Sequence, residues 1–99
     1  MKVRQISQSL NSDQLILVID GGETPSDLSD IKNNLREMFS ALVSEELVGV
    51  DQIYIDLKIE ENLVILAWDT MAGISIECEN LELRDKIFQY LQELWLIRI

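Results

Sequence analysis

The sequence predicts an α+β domain, a two-layer sandwich. A mostly antiparallel sheet of about four to five strands carries two amphipathic helices, in the order β-α-β-β-β-α. Three observations predict it. Apolar residues recur at helical spacing from Leu28 and again from Leu83. They alternate at period two from Ile53 to Ile59. Between Asp51 and Cys78 the apolar runs are separated only by short turns, the connection an antiparallel meander uses. At 99 residues the chain fits one domain, residues 1–99, and no Pro/Gly/Ser linker or repeat divides it.

Lys2 to Ser7 is a candidate short strand, and Gln8 to Asp13 a polar turn. Gln14 to Asp20 follows as a strand, because Leu15, Ile16, Leu17, Val18 and Ile19 are apolar on both faces. Gly21, Gly22 and Glu23 break it. Thr24 can cap a helix, Pro25 suits its first position, and Asp27 complements the positive end of its dipole. Leu28, Ile31, Leu35, Met38, Phe39, Leu42 and Val43 then form one apolar stripe. They predict a helix running to about Glu46, with Gly49 as its stop signal.

From Asp51 to Glu60, Ile53, Ile55, Leu57 and Ile59 point one way, while Tyr54, Asp56, Lys58 and Glu60 point the other. Glu61-Asn62 predicts a tight turn, since Asn tolerates positive φ. Leu63 to Trp68 is the return strand, apolar on both faces. Asp69 to Gly73 makes a second turn, and Ile74 to Cys78 a third strand. Asn80 can cap a final helix whose inner stripe is Leu83, Ile87, Phe88, Leu91, Leu94 and Trp95. The apolar tail, Leu96 to Ile99, predicts an edge strand or a contact with another subunit. As a strand it would bring the order towards a ferredoxin-like βαββαβ arrangement.

Charge sets the expected partners. Eighteen acidic residues stand against eight basic ones, giving a net charge of -10, and there is no histidine. Nucleic acid and anionic membranes are polyanions that bind through Lys and Arg, so neither is expected as a partner. A basic protein would instead be steered in. Leu63 to Trp68, the longest apolar run, is far shorter than the roughly 20 residues of a membrane span. Cys78 is the only cysteine and excludes an internal disulfide. With no apolar leader in Met1 to Leu10, this points to a cytoplasmic protein.

The loop Asp20 to Pro25 ends a strand in glycines and opens a helix, but it lacks the G-x-G-x-x-G spacing and carries two carboxylates that would repel phosphate. It reads as a plain strand-to-helix turn. Asp20, Glu23, Asp27 and Asp30 lie close in sequence without the order of a calcium loop, and zinc lacks ligands. No metal or cofactor is expected. Catalysis lacks a base that titrates near neutrality, and Glu77 and Glu79 would raise the pKa of Cys78 rather than activate it. No enzyme activity is expected.

Two surface features remain. If the third meander strand returns along the second, Glu77 and Glu79 approach Glu60 and Glu61, with Asp56 and Tyr54 beside them. Such a carboxylate cluster suits Lys or Arg groups of a partner. If both helices cover one sheet face, Ile16, Val18, Val64, Leu66 and Trp68 would need cover on the other, so Val64, Leu66 and Trp68 are candidate interface residues. The expected function is that of a non-enzymatic, acidic protein-binding protein. Its most concrete form is an immunity-type inhibitor neutralising a basic partner such as a toxic nuclease. The alternative is a structural or regulatory subunit that dimerises through an apolar sheet face.

Overall fold

Side-chain alternation builds the sheet, and the computed structural model describes it over residues 1–7 and 15–96. The elements in chain order are β1 (Lys2–Ser7), β2 (Leu15–Asp20), α1 (Pro25–Phe39), β3 (Leu42–Val48), β4 (Gln52–Ile59), β5 (Asn62–Asp69), β6 (Gly73–Cys78) and α2 (Leu81–Leu96). The strands form one antiparallel sheet in the order β1-β2-β6-β5-β4-β3. The fold is therefore the expected α+β class, with six strands among the described residues instead of four or five.

One face of the sheet is buried. Across the ladders Leu17 stands opposite Ile76, Ile76 opposite Leu66, and Leu66 opposite Ile55. One row along, Val64 pairs with both Cys78 and Leu57. All of these are buried, and they form one core with Leu28, Ile31 and Leu35 of α1 and Leu83, Ile87 and Leu91 of α2. Both helices thus lie on the same side of the sheet. They meet where Phe39 sets its ring edge-on to Tyr90, with centroids 5.7 Å apart.

Local chemistry fixes the helix starts. Thr24 accepts from the Asp27 N–H at 3.2 Å, while the Asp27 carboxylate accepts from the Thr24 N–H at 3.2 Å and its hydroxyl at 2.9 Å. Asn80 caps α2 by accepting from the Leu83 N–H at 2.9 Å. At the β2–α1 loop, Gly21 adopts φ 85°, and a Cβ on Gly22 would come within 3.1 Å of Ile74. The glycines thus serve a sharp turn and a close approach. Trp68 ties the same loop down by donating its indole N–H to the Glu23 carbonyl at 3.0 Å.

Three expectations are corrected. The first helix does not reach Glu46. Ser40 turns into the left-handed region (φ 54°), and residues 42–48 become β3. The apolar residues Leu42 and Val43 fit either period, and ladder pairing with Lys58 and Leu57 on β4 decides for strand. Gly49 is then part of the β3–β4 turn, where its N–H donates to the Gln52 carbonyl at 2.7 Å. The turn after β4 is Glu60-Glu61, not Glu61-Asn62: both glutamates have positive φ (51° and 69°), and Asn62 already pairs with Ile59. Finally, the order is β-β-α-β-β-β-β-α, which is not the ferredoxin-like arrangement. Leu96 is the last residue of α2, and the rest of the predicted tail strand, residues 97–99, lies outside the described residues, as does the polar turn at 8–13.

Two outcomes follow. Trp68→Ala removes a buried ring and is expected to destabilise the fold by about 3–5 kcal/mol. Trp68→Phe keeps most of the packing but strands the Glu23 carbonyl, and is expected to cost about 1 kcal/mol. Urea denaturation of both variants separates the ring from its hydrogen bond. The second concerns acid. Asp27 is held below the usual carboxylate range, first by the Thr24 hydroxyl and then by the Thr24 and Glu23 N–H groups. Asp69 is lowered first by the Gln52 amide and then by the Met71 and Ala72 N–H groups. A carboxylate whose pKa falls on folding adds stability that is full above its unfolded pKa and is lost as pH falls through the folded one. Stability should therefore fall as pH drops below about 4. In Asp27→Asn and Asp69→Asn the fall should be shallower, as melting at stepped pH would record.

Candidate functional site

The helix-free face of the sheet is the candidate site, and alternation decides what it presents. On β2, Leu17 and Ile19 are buried, and the half-buried Ile16 and Val18, one residue out of step with them, point outwards. On β5 the outward residues are Leu63, Ile65 and Ala67, and on β4 they are Tyr54, Asp56 and Lys58. Glu45 of β3 stands opposite Asp56, Asp56 opposite Ile65, and Ile65 opposite Glu77. One row along run Leu47, Tyr54, Ala67, Ser75, Val18 and Arg4. Apolar side chains thus occupy the middle of the face, with carboxylates among them. Asp56 and Glu77 flank Ile65 from two strands, about 10 Å apart by strand spacing.

The face is acidic in its centre and basic only at its margins. Lys58 lies near one end, and Lys2 and Arg4 lie on the far strand β1. Arg4 is bound to Asp20, with its Nη2 3.0 Å from Oδ1. This pairing lowers the Asp20 pKa, chiefly through the Arg4 hydrogen bond.

At the end of the sheet bearing the β4–β5 turn, the face runs into a cleft of about 490 Å³. It exists because the β2–β6 ladder stops at Leu17 opposite Ile76. Beyond that pair the strands part. In the wedge, Arg84 of α2 donates Nη1 to the Leu15 carbonyl at 3.3 Å. Arg84 is 7% exposed. Its Nε has no hydrogen-bond partner among the described residues and almost no accessible surface. Glu61, Glu77, Glu79 and Cys78 line the cleft with it.

Of the residues expected to contact a partner, Tyr54, Asp56 and Glu77 lie on the open face, and Glu61 and Glu79 join Glu77 at the cleft. Glu60 stands in the turn beside them without lining the cleft. The interface expectation is corrected: Val64 and Leu66 are 0% exposed and Trp68 is 8% exposed, all under the helices. The outward set is instead Leu63, Ile65 and Ala67. Strand β5 is apolar on both faces, so its sequence gives no sign of which parity turns inwards. Arg84 was missed, yet it is legible: one residue after Leu83 and three before Ile87, it falls within the inner stripe of α2.

The remaining candidates serve structure. Asp20 is engaged by Arg4 and Asp27 by the helix cap, which disperses the sequence cluster of carboxylates. Among the described residues no group of His, Cys, Asp or Glu is arranged to hold a metal ion, and no helix is long and apolar enough to cross a membrane. Burial pushes the Cys78 thiol up, outweighing its hydrogen bond to the Asn80 carbonyl and the nearby Arg84. Compared with known proteins, the chain matches no family model, no curated protein and no solved structure.

The Glu60-Glu61 turn gives a measurable handle. Left-handed backbone costs a non-glycine residue about 1–2 kcal/mol, and Asn-Gly is the preferred pair for such a two-residue hairpin turn. The double variant Glu60→Asn, Glu61→Gly is expected to raise stability by about 1–2 kcal/mol, read as a higher denaturation midpoint with an unchanged slope.

Proposed function

We propose that the protein is a non-enzymatic binding protein whose open, acid-studded sheet face takes a basic protein partner. One observation carries this reading: both helices cover the same side of the sheet, which leaves Ile16, Val18, Ile65, Ala67 and Tyr54 outwards with Asp56, Glu77 and Glu45 among them. Apolar centres with charged surroundings are how partner surfaces combine burial with selectivity. The net charge of -10 adds long-range attraction for a cation-rich surface. Two glutamates held in left-handed backbone at Glu60 and Glu61 also fit a contact role, since strained residues gather at functional sites.

In its most concrete form the protein is an immunity-type inhibitor. Its carboxylates would stand where the phosphates of nucleic acid otherwise sit on a toxic nuclease. Ion pairs formed against half-buried carboxylates are less screened than those at a fully exposed rim. Self-association is the weaker reading, because it opposes two like-charged faces and the residues first expected to make it are core.

The test uses the purified chain as bait, beside an Asp56→Lys, Glu77→Lys variant. The native bait should retain a basic protein that elutes as salt rises, and the variant should bind it at least about tenfold more weakly. Retention of the same protein by the variant at equal affinity overturns the proposal.

A further inference from the structure

The two edges of the sheet are unlike. At one end, β1 is packed against α2, turns Val3 inwards and carries Lys2 and Arg4. At the other, no described element pairs with the outer side of β3, and every residue of that strand is exposed. Leu47 is 58% exposed and Val48 71%. They fall on opposite faces, since Leu47 stands opposite the outward Tyr54 and Val48 opposite the half-buried, core-packed Ile53. The strand is apolar on both faces at Leu47 and Val48 and contains neither Lys nor Pro; its guards against strand addition are a bulge and two glutamates, charges that repel a second copy of this strand but not a cationic one. A bulge between Val43 and Glu45 interrupts its first half, where the Ser44 hydroxyl donates to the Asp56 carbonyl at 3.1 Å. The regular stretch is Glu45 to Val48.

We infer that β3 extends the sheet by pairing with an extended segment of a cationic partner, two apolar residues followed by two basic ones. Main-chain hydrogen bonds supply the attraction in strand addition, and alternate side chains supply the selectivity. In an antiparallel ladder the apolar pair stands opposite Val48 and Leu47, and the basic pair opposite Glu46 and Glu45. Glu45 has no ion pair in the described structure, and Glu46 has only a distant one, its Oε1 4.0 Å from Lys32 Nζ. Opposite charges across a ladder stabilise it, and like charges destabilise it. That selects against a second copy as the occupant: two β3 strands would gather Glu45 and Glu46 of both chains and oppose two bodies of net charge -10. The inference rests on the reading of a basic partner and adds the backbone by which it docks.

The probe is a blocked synthetic peptide with two valines followed by two lysines, read by amide exchange of the whole chain. It should slow exchange of the β3 amides at least about tenfold. Replacing its lysines by glutamates, or N-methylating alternate residues, should remove the effect. So should Glu45→Lys with Glu46→Lys in the chain, both being exposed positions. Equal protection by the N-methylated peptide, or unprotected β3 amides at saturating lysine peptide, overturns the inference. Capture of a basic protein that depends on Asp56 and Glu77 while β3 stays unprotected also overturns it, but leaves the binding-face proposal standing. Protection of β3 in the Asp56→Lys, Glu77→Lys chain supports strand addition by itself.

Discussion

Leu17, Ile19, Ile55, Leu57, Val64, Leu66, Ile74 and Ile76 stack from strand to strand on one face of the sheet, sealed by the inner stripes of α1 and α2. Each such side chain gains about 1.5–3 kcal/mol on full burial. The set is held by register, because a slip of one residue on any strand would exchange its inward and outward side chains. Everything on the open face follows from that constraint. Ile16, Val18, Leu63 and Ile65 face outwards only because their neighbours in sequence must face inwards. The exposed apolar surface is thus the geometric consequence of strands that are apolar at both parities, covered by a helical layer on one side.

At the end of the sheet near the β4–β5 turn, where the β2–β6 ladder has ended, Arg84 reaches the Leu15 carbonyl from α2. This places a buried guanidinium near the Cys78 thiol, in the cleft that Glu61, Glu77 and Glu79 also line.

Much of the fold was legible in the sequence. The cap at Thr24, the cap at Asn80 and the alternation from Ile53 to Ile59 are local signals, and each lands where the residues predict. Tyr54, Asp56 and Glu77 were legible as outward residues for the same reason, since polar and apolar positions alternate around them. The strand β3 was not legible. Leu42 and Val43 continue the spacing of α1, and nothing nearby in the chain signals that β4 will claim them. The parity of β5 was hidden as well, because Leu63, Ile65 and Ala67 are apolar like Val64, Leu66 and Trp68.

By itself the sequence determined the class of fold, the helix starts, the meander from β4 to β6 and an acidic body without histidine. These depend on local periodicity, capping chemistry and composition, which act over a few residues. The tertiary structure alone decided where α1 ends, which side of β5 is core, how Arg84 enters the wedge, and that β3 is the outermost described strand at one edge of the sheet. Those outcomes depend on pairing between segments distant in the chain, and no local pattern carries the energy of a contact with a strand that has yet to arrive.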